Sequence, residues 1–405
     1  MKILMLSCTF PYPPSRGGTQ GRTFNLMKSL SQRHEITLIV QRTEDVTDSQ
    51  INELQQQVKE LVVFSRPPEI GGGIVKKIQR YWQFWQEGTP PNVLSPYSSA
   101  MQYWIDTAVT SQQFDVITCE HSINAIYVRP QWRQQLQTVV NIHSSVYRTC
   151  QNQLATKTSE NPLRDRLYLP LLKRYEQQLC QKFSRIVVTT GEDQQQFQNF
   201  NPGREITVIP NGVDLNIFPD RLTDPGGYNL IITGGMDYMI NIDAARFFSL
   251  EILPKLQDKY PKTTLKIVGS NPTSEVIALG KRPGITVIGR VPSMVEYLHQ
   301  ATVCVVPMRS GFGMKMKTIE AMASGVPVVA SDRGLEGLNV DSPGVPLRAL
   351  RANCLEEYVT AIGRLFEDAN LRQQLSKNGR ELIELNYTWN RLGKSYEQVI
   401  VNSRN

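Results

Sequence analysis

Short β-branched runs separated by longer amphipathic segments recur along most of the chain. This is the pattern of parallel sheets covered by helices on both faces. The first set of runs is KILML (2–6), EITLIV (35–40), LVVF (61–64), FDVIT (114–118), TVVNI (138–142), RIVVT (185–189) and ITVIP (206–210). From about residue 229 the alternation starts afresh with NLIITG, LKIVG (265–269), ITVIG (285–289), TVCVVP (302–307) and PVVAS (327–331). The expected class is therefore α/β, with two Rossmann-like domains facing each other. Between the two sets lies IPNGVDLNIFPDRLTDPGGY, too dense in Pro, Gly, Asn and Asp for a helix or strand to continue. The expected layout is a first domain over 1–210, a linker over 211–227 and a second domain over 228–385. A C-terminal helix over 386–405 is expected to pack back on the first domain, since CLEEYVTAIGRLF and WNRLGKSYEQVIV both carry apolar residues at helical spacing.

At 405 residues and 40% hydrophobic the chain has apolar material for two cores. The net charge of +7 favours anionic partners without choosing among them. Basic residues are dispersed and no nucleic-acid module is visible, so nucleic acid is not an expected partner. No run of about 18 apolar residues is present, which excludes a spanning helix. The opening MKILMLSCTFPYPP reads as a first strand rather than a secretory segment, because Pro11, Pro13 and Pro14 stop its apolar stretch. Six scattered Cys without a CxxC or a Cys/His cluster fit buried thiols in a reducing compartment, so a cytoplasmic location is expected.

In open parallel sheets ligands bind at the carboxyl ends of strands, so the loops there are where chemistry is sought. The most informative stretch is ATVCVVPMRSGFGMKMKTIEAMASGVPVVASDRGLEG (301–337). A strand feeds a loop containing Gly311 and Gly313, then a helix through Glu320 that Gly325 closes before the next strand. Unshielded amides at a helix N-terminus favour a phosphate, and Arg309, Lys315 and Lys317 add positive charge. Glu320, one turn beyond Lys317, can accept hydrogen bonds from sugar hydroxyls. On these residues alone, a solvated basic loop before an ordinary helix is an equal reading. GGTQGR around Gly17-Gly18 is not a spaced GxGxxG, and GxxxxGK[ST] is absent, which argues against a P-loop nucleotidase.

Residues 301–331 resemble the donor-binding segment of retaining glycosyltransferases with the GT-B fold, in particular glycosyltransferase family 4. IPNGVD (209–214), ITGGMDYMINIDAARFF (232–248), LKIVGSNP and ITVIGRVPSM (285–294) follow in the family's order, and Gly17-Gly18 and NIHSS around His143 fit as well. The resemblance implies an N-terminal domain for the acceptor and a C-terminal domain for a nucleoside diphosphate sugar. It implies that Glu320 binds the donor ribose, that Lys317 and Lys315 neutralise the diphosphate, and that Val291 lies beside the nucleobase. Arg309, Gly313 and Asn241 complete the donor set, Asn241 donating locally at a helix start. His143 resembles the histidine near the transferred sugar, and the Gly17 and Gly18 amides face phosphate or acceptor. His143 and Lys317 are the catalytic candidates.

Two features depart from the family pattern. Many members carry two glutamates with seven residues between them, which puts Phe312 at the first position, or Ser310 if the segment aligns on FG. Many also carry an Arg and a Lys in the stretch that reads GGMDYMIN here. The pattern looks closer to members associated with exopolysaccharide or cell-surface glycan assembly than to sucrose or glycogen synthases. The chain has no Asp-x-Asp pair of the kind metal-dependent transferases use, and cations and amides can stabilise a departing diphosphate, so no metal or other cofactor is expected. The expected activity is transfer of a hexosyl or related sugar, with retention, from a nucleoside diphosphate sugar to a glycan or lipid-linked acceptor. A nucleotide-sugar 2-epimerase and a non-catalytic nucleotide-sugar or glycan binder are the alternatives.

GGGIVKKIQRYWQFWQ (71–86) places Ile74, Ile78, Tyr81, Trp82 and Trp85 at helical spacing, with Lys76, Lys77 and Arg80 among them. Such a helix suits either a membrane interface, with peripheral contact through 74–85, or a core with a solvated face. LRDRLYLPLLKRYEQQLCQKF (163–183) reads as scaffold.

Overall fold

The computed structural model describes residues 1–68 and 74–401. The chain divides into two units: Met1–Leu154 with Ser159–Pro210 and Trp389 onward, and Ala155–Thr158 with Asn211–Thr388.

Among the described residues the first unit carries a seven-stranded parallel sheet in the order β3-β2-β1-β4-β5-β6-β7. Its strands are β1 (Lys2–Ser7), β2 (Glu35–Arg42), β3 (Glu60–Ser65), β4 (Val116–Glu120), β5 (Gln137–Ile142), β6 (Arg185–Val188) and β7 (Ile206–Val208). Burial on both faces explains why these strands are nearly all apolar. Leu4 and Leu6 of β1 enter a core with Ile105, Val140 and Phe197. Ile3 and Met5, pointing the other way, enter a core with Leu26, Leu30 and Leu392. The fourth run is displaced from expectation: Phe114 and Asp115 precede the strand, which starts at Val116, and the Asp115 carboxylate accepts the Lys2 amide at 2.9 Å.

The second unit repeats the plan with six described strands in the order β10-β9-β8-β11-β12-β13. They are β8 (Asn229–Thr233), β9 (Thr264–Val268), β10 (Ile285–Ile288), β11 (Val303–Val306), β12 (Val328–Ala330) and β13 (Leu350–Arg351). The two-residue β13 is too short to show in a sequence pattern. Leu230 and Ile232 pack under the helices Met239–Phe247 and Leu355–Glu367, while Ile231 packs on the opposite face with Ile319 and Met322. Val213 belongs to this unit: its amide donates to the Tyr387 carbonyl at 2.8 Å, and it bridges to Thr388.

The helix Trp389–Val401 returns to the first unit, where Leu392, Tyr396 and Ile400 join the core beneath the helix Gly18–Ser31. Five of the six Cys are buried and unpaired, whereas Cys354 is exposed at the start of Leu355–Glu367.

Strand order determines where ligands enter. In each sheet the chain builds outward to one side and then crosses to the other, between β1 and β4 in the first and between β8 and β11 in the second. A crevice opens beyond the carboxyl ends at such reversals.

Candidate functional site

In the second unit the loops after β8 and β11 flank the reversal. The helix Met316–Ala323 follows the second loop, and its start brings Lys317 over the first. The Lys317 ammonium donates to Asn241 Oδ1 at 2.6 Å, and the Asn241 amide donates to the Gly235 carbonyl at 2.8 Å. Asn241 thus ties the two loops together from the first turn of the helix Met239–Phe247. Gly234 makes room for the lysine: a Cβ there would stand 2.8 Å from Lys317 Nζ and 2.9 Å from Asn241 Nδ2, and its φ of +143° favours glycine.

Lys317 and Glu320 are both partly buried. Loss of hydration lowers the lysine to about 8, and it raises the glutamate to about 7 against the opposing pull of Lys317. Among the described residues the Glu320 carboxylate has no hydrogen-bond partner. A charge removed from water without a partner is costly, so a carboxylate without a hydrogen-bond partner beside an undersatisfied ammonium makes this pair the candidate for holding a polar ligand.

The neighbouring cations have other engagements. Arg309 forms a two-point ion pair with Asp243, with Nε to Oδ2 at 2.9 Å, and lies over the Phe247 ring at 4.9 Å. Asp243 holds the arginine protonated above its ordinary range. Lys315 turns back to its own loop, donating to the Gly313 carbonyl at 2.7 Å and the Gly311 carbonyl at 3.2 Å. Lys315 and Gly313 therefore shape the loop that presents Lys317. Phe312 places its ring 4.4 Å from the Arg333 guanidinium, and Ser310 is buried. Val291, in the loop after β10, is partly buried and, like Met294, packs against the core containing Leu298.

In the first unit Gly17 is extended and starts the helix Gly18–Ser31, its carbonyl accepting the Gly21 amide at 2.9 Å. One residue further, Thr19 Oγ1 lies 3.5 Å from His143 Nδ1. His143 follows β5, and its carbonyl accepts the Thr189 hydroxyl at 2.9 Å. Gly17, Gly18 and His143 therefore lie around one end of the first sheet. Burial, the His121 ring and the Arg22 cation hold His143 well below ordinary histidine, so it is neutral at pH 7.

Three features of this end were not among the candidates. Arg22, fully buried, donates to Asn141 Oδ1 and to the Ile209 and Pro210 carbonyls. Asn141 in turn donates to Glu120, which also accepts the Tyr396 hydroxyl at 2.8 Å. Glu176 caps the helix Val146–Ala155, accepting the Val146 amide at 2.6 Å and the Ser145 hydroxyl at 2.8 Å. The third is His121, which directly follows β4. A histidine directly after a strand, as in ITCEHS, was the only signal in the sequence for any of them.

In the helix Ile74–Glu87, Phe84 is buried, Tyr81 stacks on Tyr168 at 6.0 Å, and Trp82 and Trp85 are 54% and 52% exposed. The side chains of Ile74, Lys76, Lys77, Ile78 and Arg80, and residues 71–73, lie outside the described residues. No described helix is long and apolar enough to cross a membrane.

Comparison with known proteins places these observations in a family. Residues 16–217 match a family model described as Glycosyltransferase Family 4, and residues 227–368 match one described as Glycosyl transferases group 1. The chain is 20% identical over 307 residues to a lipopolysaccharide 1,2-N-acetylglucosaminetransferase of Salmonella typhimurium, a span taking in 70% of this chain and 77% of that one. Among solved structures, it resembles sucrose-phosphate synthase from Thermosynechococcus elongatus at a TM-score of 0.69, with 18% identity and 100% of both chains covered. It also resembles Anabaena HepE in complex with UDP-glucose at a TM-score of 0.64, with 15% identity and 99% of this chain and 100% of that one covered. With the two family models side by side along most of its length and two Rossmann-like units of this topology, the chain belongs to the group 1, family 4 glycosyltransferases and has the GT-B fold.

Proposed function

We propose that this glycosyltransferase moves a hexosyl or related sugar from a nucleoside diphosphate donor to a glycan or lipid-linked acceptor, with retention of anomeric configuration, in exopolysaccharide or cell-surface glycan synthesis. The observation that carries the donor assignment is the Lys317 ammonium, braced by Asn241 beside Glu320, whose carboxylate has no hydrogen-bond partner among the described residues. That pair offers a cation for a diphosphate and an acceptor for ribose hydroxyls. Val291 is assigned to the nucleobase edge, and the solved relatives carrying UDP or UDP-glucose make uridine the first base to test.

Loss of the anomeric C–O bond builds negative charge on the departing β-phosphate. Lys317 and the amides opening Met316–Ala323 stabilise it, and because they are already in place they need no reorganisation. Arg309 and Lys315 contribute by holding Asp243 and the 311–313 loop. The incoming hydroxyl approaches the face the diphosphate leaves, so no enzyme carboxylate nucleophile is required, in keeping with Phe312 at the first glutamate position. His143 hydrogen-bonds the transferred sugar, and the Gly17 and Gly18 amides serve phosphate or acceptor. The reading assigns no metal.

Calorimetric titration with UDP, GDP, ADP and TDP in the presence of chelator tests the donor site, with Lys317→Ala and Glu320→Ala alongside. Tight binding of one nucleotide that weakens in both variants supports the assignment. A folded protein that binds none of them defeats it and favours a non-catalytic relative, while sugar epimerised without any acceptor favours the 2-epimerase reading. For a lipid-linked acceptor, the half-exposed Trp82 and Trp85 offer interfacial anchors on a cytoplasmic membrane face. Loss of vesicle co-sedimentation in a Trp82→Ser, Trp85→Ser double variant is the expected outcome.

A further inference from the structure

The residue immediately after β4 adopts a conformation that its side chain does not favour. His121 has φ 103° and ψ 142°, outside the regions open to most L-residues, at a typical cost of about 1–3 kcal/mol. Several bonds hold it there. Its amide donates to the Asn141 carbonyl at 3.0 Å, and its carbonyl accepts the Asn124 amide at 3.1 Å. Its ring Nδ1 accepts the Ile123 amide at 3.3 Å, capping the short helix Ser122–Tyr127. Because Nδ1 accepts, the neutral ring carries its proton on Nε2. The position of the ring suggests why the strain is tolerated: it meets the His143 ring edge to face, with centroids 4.7 Å apart and planes at 66°.

The two histidines leave adjacent strands at their carboxyl ends. β4 pairs with β5 with Glu120 beside Asn141, so each imidazole emerges just beyond the last rung of the ladder. His143 is then enclosed by His121 on one side and by Thr19 Oγ1 at Nδ1, while its buried Nε2 has no hydrogen-bond partner among the described residues. Asn141, which takes the His121 amide on its carbonyl, also takes the Arg22 guanidinium on its side chain, so the pair stands on the buried Arg22-Asn141-Glu120-Tyr396 network.

We propose that His121 is a positioning residue for the transferase reaction: its strained backbone sets its ring against His143 and fixes the plane of that imidazole, leaving His143 Nε2 for a hydroxyl of the transferred sugar. The proposal rests on the reading that His143 meets that sugar. The groups facing His143 that bear on its titration are the His121 ring and the Arg22 guanidinium, both disfavouring a second proton; burial places His121 itself at about 4, so both rings are neutral at pH 7.

The test compares His121→Asn, His121→Phe and His143→Ala in the full-length protein, using UDP-glucose turnover as the activity probe and nitrogen NMR of the imidazoles. With four histidines in the chain, the His143 signals are assigned from the spectrum of His143→Ala. Asn tolerates positive φ and supplies a capping oxygen, so it removes the ring while keeping the turn. Phe keeps a ring and removes Nδ1. For His121→Asn we expect kcat to fall by about tenfold to a hundredfold, with KM for UDP-glucose within about twofold, because a displaced group acts on the reacting geometry rather than on nucleotide binding. The His143 nitrogen shifts change with it, and His121→Phe restores both toward the parent. If the His143 shifts and kcat in His121→Asn match the parent while His143→Ala lacks turnover, the positioning role is overturned and the role of His143 stands. If His143→Ala turns over like the parent, the role of His143 itself fails, and the proposal with it.

Discussion

The carboxyl ends of the two sheets treat buried charge in opposite ways. At the first, Arg22 and Glu120 are fully buried, and each is matched: the guanidinium by Asn141, Ile209 and Pro210, the carboxylate by Asn141 and Tyr396. At the second, Lys317 has one oxygen acceptor among the described residues, and Glu320 has no hydrogen-bond partner there. The contrast separates two uses of polar groups. A matched network joins α and β elements into one unit, and its worth lies mainly in what its disruption would cost. An undermatched pair contributes little to folding and retains binding capacity for a ligand.

The largest expected effect falls on the first region. Arg22→Met leaves the Asn141 side-chain oxygen and the Ile209 and Pro210 carbonyls without their buried donor, removes the cation near Glu120, and should destabilise the first unit by about 3–5 kcal/mol, read as a lowered denaturation midpoint. Nucleotide affinity of the remaining folded protein should be unchanged; an equal loss of binding would erase the distinction between the regions.

Next in size, Lys317→Met should lower kcat by about two to three orders of magnitude while leaving the denaturation midpoint near the parent's, since the charge it removes is one the fold scarcely uses. Midpoint and activity falling together would make Lys317 a structural cation like Arg22.

A smaller effect concerns pH. Free Lys317 titrates near 8, below its ordinary 10.5, and a diphosphate binds its protonated form. Nucleotide affinity should therefore be full below about 8 and fall as pH rises through it, by at most about tenfold per unit. Calorimetry between pH 7 and pH 9.5 checks this, and a flat profile would show that the ammonium is not a ligand group.

The smallest effect involves Glu176, raised to about 8 by burial from an ordinary 4.5. Its folded form holds a proton that the unfolded form has released, so stability falls as pH rises between about 4.5 and about 8. Glu176→Gln keeps an oxygen for the helix amides and has no charge to bury. Its denaturation midpoint should match the parent near pH 4.5 and exceed it above pH 8, and a constant difference between the two proteins would refute the account.

Local sequence made part of the site legible. Gly311, Gly313, Lys317 and Glu320 occur within one strand-loop-helix segment, whose order can be read without knowing what surrounds it. That Arg309 would be engaged by Asp243 and Lys315 by the carbonyls of its own loop was not legible. Three basic side chains in one short stretch look equivalent until the packing of Met239–Phe247 puts a carboxylate against one of them. His121 and Arg22 were missed for the same reason: their partners are Asn141, His143, Ile209 and Pro210, far along the chain.

The sequence by itself determined the α/β class, the restart near residue 229 and most strands, because alternation of apolar runs reports burial on two faces, and burial acts residue by residue. It also carried the family resemblance, because loop motifs preserve their order. Tertiary structure alone decided which charges are matched and which are left with few or no partners among the described residues. A hydrogen bond or ion pair depends on the meeting of groups many residues apart, and that meeting is set by strand order and helix packing rather than by any local run.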